Sequence, residues 1–418
     1  MSTKFFKNVL TLVFGTGFSQ FIALLASPVL ARIYNPHQFG IFAFFVSGCS
    51  ILSIISTGRY EMAILHPKQD QIAFNILFGS LLLSLLTNML FFLLLFFASN
   101  CLFELFDGRL EIATLCLIPV GTFFTAAFQI LTFWFTRHGK FKFISFLKVL
   151  QSSVVVISSI LLGQLYIQED GLIVSFILGG FIVFVPLLVI ISKGRSMFST
   201  KILNITAKKY IDYPKYMMTT SFLDSFAMHA PIFFITRFFV PRVVGSYSMA
   251  FRLGVAPVGI ISGAFGQVYL QKAFGVIKDK RQKVGPFVLR ALKVLLLLSL
   301  LLFTPIFFWG TNLVIFFFGI EWLEAGIYLE ILALALLVRF VVSPLSSTFI
   351  ALSDIKSSSK WQLLYFITSI SVFVLGRDLE IVNLLWLYVI HEVILYSIYF
   401  LLIFRSIKKF DNQIICAE

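Results

Sequence analysis

Charged residues are scarce in this chain of 418 amino acids, where Asp, Glu, Lys and Arg together make up 12% of the sequence. Soluble domains contain about 25% of these residues. Hydrophobic residues make up 59%, and the mean hydropathy is +0.98. This composition excludes a soluble globular protein and indicates a chain that resides in a membrane.

Motifs for catalysis and for metal binding are also missing. The Gly139-Lys140 pair lacks the upstream spacing of a phosphate-binding loop, and His391-Glu392 has no second histidine four residues on. No two of the four cysteines have the spacing of a CxxC motif or a metal site. The sequence therefore predicts a secondary transporter that is not an enzyme and that has no cofactor and no metal.

Twelve long apolar segments follow one another along the chain. They cover approximately residues 8–31, 39–57, 72–98, 111–135, 144–167, 171–192, 216–235, 245–270, 287–310, 325–350, 361–376 and 381–404. A helix that crosses a bilayer takes roughly 20 residues, and no segment has the short alternation of a membrane barrel. We therefore predict an all-α polytopic bundle of twelve transmembrane helices.

Connections rich in basic residues alternate along the chain with connections that contain few of them. With a cytoplasmic N-terminus, 26 of the 33 lysines and arginines fall in cytoplasmic connections and tails, and five arginines fall on the opposite face. This distribution follows the positive-inside rule through all twelve spans. It predicts a multi-pass membrane protein with both termini in the cytoplasm. The net charge of +14 thus reflects topology and does not indicate binding to nucleic acid.

A short motif occurs twice, at the same point in each half of the chain. The windows ARIYNPHQFGIFAFF and TRFFVPRVVGSYSMAF align without a gap and share three residues, which are Arg32, Pro36 and Gly40 in the first copy and Arg237, Pro241 and Gly245 in the second. Such a repeat in a membrane protein is typical of a transporter built from two similar bundles. We predict an N-terminal six-helix lobe (1–192), a basic cytoplasmic connection (193–215), a C-terminal six-helix lobe (216–405) and a cytoplasmic tail (406–418), with a central cavity between the lobes.

Arginines at membrane depth are the first candidates for a binding site. Arg59 closes the second apolar segment, whereas Arg252 and Arg339 lie in the eighth and tenth. A charge in hydrocarbon costs at least a few kcal/mol, so such residues face the interior of a bundle. Because the guanidinium group binds two phosphate oxygens at once, these arginines predict an anionic head group, such as a phosphate or diphosphate, as the substrate.

Acidic residues at the same depth are candidates for coupling to an ion or for pairing with these arginines. They are Glu61, Asp224 and Glu392. Asp224 either binds a coupling ion or pairs with Arg252, and Arg339 has Glu392 as its candidate partner. His229 and His391 are interpreted as core histidines with satisfied hydrogen bonds.

Six stretches, distributed from about residue 5 to residue 405, resemble a known family. They are PVLARIYNPHQFGIFAFF, RYEMAILHPKQD, YPKYMMTTSFLDSFAMHAPIFFITRFFVPRVVGSYSMAFRL, FGQVYLQKAFG, FFGIEWLEAGIYLEILAL and SPLSSTFIALSDIKSSSKWQ. Their order and spacing are similar to the polysaccharide biosynthesis (O-antigen flippase) family of the multidrug/oligosaccharidyl-lipid/polysaccharide exporter superfamily. The resemblance implies twelve or more helices in two lobes around a V-shaped cavity with a cationic lumen, in which Arg59 and Arg252 would be lumen residues.

The same resemblance implies a function. Members of the family move undecaprenyl-diphosphate-linked oligosaccharides from the cytoplasmic to the outer leaflet for the assembly of O-antigen or capsule. Such a protein would lie in the bacterial inner (plasma) membrane. It would have the lipid-linked oligosaccharide and the bilayer as partners, together with a glycan polymerase and the chain-length machinery. The related lipid II flippases usually carry two further helices, which this sequence lacks.

Two other functions were weighed. A cation-coupled multidrug antiporter of the same architecture would have more buried carboxylates than arginines, which is not the case here. A membrane-integral glycan polymerase or ligase would carry a sizeable outside loop, whereas the predicted outside connections are short. The sequence therefore favours the flippase.

Overall fold

The structure, a computed structural model, describes residues 3–106, 108, 112–165, 170–278, 284–352 and 354–415. Within these ranges it consists of fifteen α-helices and contains no strand. The first nine are α1 (Thr3–Ile33), α2 (Pro36–Thr57), α3 (Asp70–Phe97), α4 (Ser99–Leu105), α5 (Ile112–Arg137), α6 (Phe141–Gln164), α7 (Gly171–Lys193), α8 (Thr200–Lys209) and α9 (Met218–Phe238). The other six are α10 (Pro241–Lys278), α11 (Val284–Phe318), α12 (Leu323–Leu345), α13 (Ser347–Ala351), α14 (Ile355–Leu375) and α15 (Ile381–Ile415). The prediction of an all-α protein is confirmed.

Over the described residues, all twelve predicted apolar segments fall on helices of the structure. In its described part, nine helices are long and apolar enough to cross a membrane, namely α1, α2, α3, α5, α6, α7, α11, α12 and α15. The other three predicted spans correspond to α9, α10 and α14, which do not meet this criterion over the described residues. Polar side chains lower the hydropathy of α9 and α14, for example Asp224 and His229 in α9 and Lys356 and Lys360 in α14. A polytopic membrane protein is thus confirmed, whereas the count of twelve spans in two lobes stays a prediction.

The chain divides into two compact units, Met1–Gly245 and Ser246–Glu418. In the first unit α1 packs on α6, α6 on α7, and α5 on α2, α3 and α7, while α9 packs on α2. In the second unit α12 packs between α11 and α15, and α14 packs on α15. The first unit therefore extends past the predicted connection at 193–215, because α9 and the start of α10 belong to it. The division into two six-helix lobes stays a prediction.

Helix α3 has the inverse of the polarity of a helix in a soluble protein. It buries Ser80, Ser84 and Asn88, and it exposes a run of large apolar side chains, among them Leu86 and Leu90. Apolar side chains cost nothing when they face lipid, whereas polar groups need partners inside the protein. The exposure pattern of α3 is therefore that of a helix with one face in the bilayer.

The two copies of the repeated motif pack against each other in the first unit. A Cβ atom built on Gly40 would overlap the carbonyl oxygen of Pro241 and lie 3.0 Å from the backbone nitrogen of Gly245. In the reciprocal direction, a Cβ on Gly245 would overlap the carbonyl oxygen of Pro36 and lie 2.9 Å from the nitrogen of Gly40. Pro36 and Pro241 are the first residues of α2 and α10, so the repeat brings the beginnings of these two helices into backbone contact.

Candidate functional site

Arg59 and Glu61 lie together just after the end of α2. Gly58 and Arg59 both have a left-handed backbone, with φ of 56° and 60°, which is common for glycine and uncommon for other residues. The chain then forms a short 3₁₀ turn over Tyr60–Leu65 that buries Glu61 completely. Arg59 Nη1 lies 3.3 Å from Glu61 Oε1. The structure thus places these two predicted site residues in one ion pair.

The surroundings of Glu61 favour its protonated form. Burial raises the pKa of its carboxyl group, while the hydroxyl of Thr57 and the charge of Arg59 act in the opposite direction. Glu61 Oε2 and Arg59 Nε are buried and have no hydrogen-bond partner in the described part of the chain. A buried carboxylate costs free energy unless it is fully paired, so the incomplete pairing accounts for the direction of the pKa shift.

A line of polar side chains continues from Glu61 between α2, α3 and α5, and we call it the polar seam. Ser56 Oγ lies 3.4 Å from Ser84 Oγ, and Asn88 Nδ2 lies 3.3 Å from Ser84 Oγ. Gln129 Nε2 donates to Ser53 Oγ at 3.3 Å. The polar seam consists of Ser53, Ser56, Thr57, Glu61, Ser84, Asn88 and Gln129. Its members come from α2, α3 and α5 and from the turn that follows α2.

Two further acceptor atoms of the polar seam, besides Glu61 Oε2, are unsatisfied. Asn88 Oδ1 and Gln129 Oε1 are buried and have no hydrogen-bond partner among the described residues. Buried polar atoms in proteins nearly always have a partner, which is often an ordered water. Sequence analysis missed the seam because serine and asparagine are common in membrane helices. The available signal was the spacing Ser80, Ser84 and Asn88, which places all three on one face of α3.

Arg339 and Glu392 belong to one aromatic cluster in the second unit. Glu392 is buried, and Tyr365 Oη donates to its Oε1 at 2.7 Å. Arg339 Cζ lies 6.0 Å from the centre of the Tyr396 ring, within the range of a cation–π contact, and its charge interacts with that of Glu392. This arrangement suits an ion pair supported by tyrosines. The roles of Arg339 in substrate binding and of Glu392 in ion coupling stay predictions.

Asp224 and Arg252 are the remaining candidates of the predicted site. Asp224 has an exposed side chain on α9, and Arg252 is partly buried on α10. The two residues belong to different units, so their predicted pairing stays a prediction. His229 Nδ1 lies 3.1 Å from Ser47 Oγ, and His391 Nε2 lies 2.9 Å from Thr368 Oγ1. Each histidine thus has one hydrogen bond, but the Nδ1 atom of His391 is buried and has no hydrogen-bond partner among the described residues.

Three comparisons relate this chain to known proteins. The model of a family described as polysaccharide biosynthesis protein matches residues 29–327, which is more than half of the chain. No curated protein matches. Among solved structures, the inward-facing form of a multidrug resistance MATE family transporter of the MOP superfamily has a TM-score of 0.73 at 15% identity and covers 94% of this chain and 96% of its own.

The lipid II flippase MurJ in an inward closed conformation is equally similar, with a TM-score of 0.73 at 16% identity over 97% of this chain and 91% of its own. A MOP superfamily transporter from Pyrococcus furiosus, described as having a reverse polarity of its binding pocket, has a TM-score of 0.58 at 16% identity over 97% of this chain and 96% of its own. These neighbours are membrane transporters and flippases, and the fold is the one they share. The chain belongs to the polysaccharide biosynthesis protein family.

Proposed function

We propose that this protein flips polyprenyl-diphosphate-linked oligosaccharides from the cytoplasmic to the outer leaflet of the bacterial plasma membrane by alternating access. Membership in the polysaccharide biosynthesis protein family over residues 29–327 carries this proposal. We further propose undecaprenyl as the polyprenyl group, and O-antigen or capsule as the product assembled outside. A glycan polymerase and the chain-length machinery would receive the flipped units.

Physical chemistry explains why such a substrate needs a protein of this kind. Each glycan hydroxyl costs several kcal/mol to pass through hydrocarbon unpaired, and the diphosphate adds charge. The polyprenyl tail can remain in lipid, so a polar path is needed for the head group alone. Arg59, Arg252 and Arg339 are the side chains of this chain best suited to accompany the diphosphate, because a guanidinium group grips two phosphate oxygens.

A multidrug antiporter is the second candidate, because a MATE family transporter is as similar in fold as the lipid II flippase. The two functions need opposite charges in the pathway. A cationic drug requires carboxylates, whereas a diphosphate requires cations. The three arginines therefore support the flippase, and the acids Glu61 and Glu392 both have an arginine nearby that offsets their charge.

Deletion and complementation test the proposal. Deletion of the gene should abolish surface polysaccharide and cause lipid-linked repeat units to accumulate on the cytoplasmic side. Changed drug sensitivity with normal surface polysaccharide would instead establish the antiporter.

Arginine variants then test the pathway. Arg59→Ala and Arg252→Ala should abolish export at unchanged membrane levels of the protein, and the lysine variants should restore it in part, because an ammonium group is a point charge. Arg377→Ala is the matched control, since Arg377 is exposed beside Asp378. Full export by the Arg252→Ala and Arg339→Ala proteins would remove the support for a cationic pathway.

A further inference from the structure

A groove of about 350 Å³ lies between α3 and α8 in the first unit. Its lining is mostly aliphatic, with Leu82, Leu83 and Leu86 on α3 and Leu203 on α8. Tyr60 and Asn204 supply polar atoms at its edge. The groove follows the half of α3 that comes after the connection 58–69, and the distribution of basic residues predicts that this half lies in the cytoplasmic leaflet.

Side-chain packing and hydrogen bonds hold α8 against α3 and thereby define the groove. A Cβ on Gly79 would lie 2.5 Å from Leu203 Cδ1, which shows how closely the two helices approach at these two lining residues. Tyr60 Oη donates to the carbonyl oxygen of Ala207 at 3.0 Å. The Asn75 side chain fixes the segment before α8, because it donates to the carbonyl of Met197 at 2.8 Å and accepts from the nitrogen of Ser199 at 3.0 Å.

Two lysines of α8 border the groove next to Asn204, and neither of them lines it. Asn204 lines the groove, and Lys201 and Lys208 lie three residues before it and four residues after it. Residues at these spacings are neighbours on one face of an α-helix. Both lysines are exposed. The groove therefore combines an aliphatic floor, long enough to follow one face of α3 from Ile76 to Leu86, with two positive charges at one rim.

We propose that this groove binds an anionic phospholipid of the cytoplasmic leaflet. Its acyl chain would lie along Leu82 and Leu86, and Lys201 and Lys208 would bind the phosphate, with the Asn204 amide as a further donor. The aliphatic floor disfavours a soluble anion, and the two lysines disfavour a zwitterionic lipid relative to an anionic one. This binding is independent of the proposed transport substrate. Because α8 lies in the basic connection 193–215, a bound lipid fastens this connection to the membrane surface.

Native mass spectrometry of the full-length protein in detergent measures the binding of phosphatidylglycerol and of phosphatidylcholine. The wild type should retain phosphatidylglycerol preferentially. Lys201→Gln combined with Lys208→Gln should weaken phosphatidylglycerol binding by about 10- to 30-fold, on the basis of about 1 kcal/mol for each basic residue near an anionic lipid. The matched control is Lys408→Gln combined with Lys409→Gln, since both of these lysines are exposed on α15. Equal binding of the two lipids, or equal losses in the two double variants, would overturn the proposal.

A second pair of variants tests the groove itself. Ala207→Trp places a large ring in the groove and should abolish the retention of phosphatidylglycerol, whereas Ile205→Trp, at an exposed position of α8 outside the lining, should not. The Tyr60 hydrogen bond goes to the backbone of residue 207 and remains available in the first variant. Thermal unfolding verifies that both variants are folded. Undiminished retention by folded Ala207→Trp would show that the acyl chain lies elsewhere.

Discussion

Gly40 and Gly245 contact each other through their backbones, and neither position has room for a side chain. They are the third residues of the two copies of the repeated motif, 205 positions apart in the sequence. The carbonyl oxygens of Pro36 and Pro241, at the starts of α2 and α10, lie over the opposite glycine. The repeat in the sequence thus corresponds to a reciprocal contact between two helix starts.

Alanine at either glycine should destabilise the protein. The added methyl group would overlap backbone atoms, which cannot rotate away as a side chain can, so we expect Gly40→Ala and Gly245→Ala each to cost at least about 1–3 kcal/mol. Gly17→Ala is the control, because this helical glycine has no atom within 4 Å of the added Cβ. Thermal unfolding in detergent measures the difference, and equal melting temperatures for Gly40→Ala and Gly17→Ala would contradict the close contact.

Stability should depend on pH through Glu61. Burial raises the pKa of Glu61 above the ordinary carboxyl value, so the folded protein holds this proton more tightly than the unfolded chain does. The resulting stabilisation is complete below the unfolded pKa of about 4.3 and is lost as the pH rises through the folded pKa. In Glu61→Gln this part of the pH dependence should disappear. Melting temperatures across this pH range test the expectation, with the exposed Glu104→Gln as control. An unchanged pH profile in Glu61→Gln would refute it.

Removing Glu392 should leave Arg339 without its acidic partner. We expect Glu392→Gln to cost about 3 kcal/mol, the lower end for a broken buried pair, because Arg339 is only partly buried. Tyr365→Phe removes one hydrogen bond to Glu392 and should cost less, about 1.5–3 kcal/mol. The double variant Glu392→Gln with Arg339→Gln should recover most of the loss. A double variant as unstable as the sum of its parts would show that the two charges do not interact.

Asp224 and Arg252 can be tested in the same way for the predicted pairing. If they are partners, Asp224→Asn and Arg252→Gln should each lower the melting temperature, and the double variant should restore it, because no unpaired charge then remains. If Asp224 binds a coupling ion instead, Asp224→Asn should fold normally but fail to export glycan, and the double variant should remain inactive. Melting temperature in detergent and glycan export in cells together separate the two roles.

Reporter fusions test the predicted topology of twelve spans. Fusions after residues 105, 170 and 379 should report the outside, and fusions after residues 68, 205, 280 and 356 should report the cytoplasm, because 26 of the 33 basic residues lie on one side in this arrangement. The fusions at 280 and 356 are the most informative, since one follows α10 and the other lies at the start of α14, two of the helices that do not meet the spanning criterion over the described residues. A reversed report at either position would remove a span.

Sequence patterns predicted the helices better than the contacts. Apolar runs mark the helices because lipid imposes the same requirement on every span, and all twelve segments fall on helices. The proximity of Arg59 and Glu61 could be predicted because the two residues are only two positions apart in the sequence. Contacts between residues far apart in the sequence could not be predicted. Examples are the hydrogen bonds between Tyr365 and Glu392 and between Gln129 and Ser53. The end of the first unit at Gly245 depends on the packing of α9 against α2, which no local pattern encodes.

The polar seam has a consequence for biogenesis. Helix α3 enters the bilayer with Ser84 and Asn88 on one face, and α2, which precedes it, carries Ser56, the partner of Ser84. This bond joins neighbouring helices, so α2 and α3 can insert as a hairpin in which Ser56 and Ser84 already face each other before the rest of the chain is synthesised. Gln129 arrives only with α5. The order of the helices along the chain therefore matches the order in which the polar groups need to be shielded from lipid.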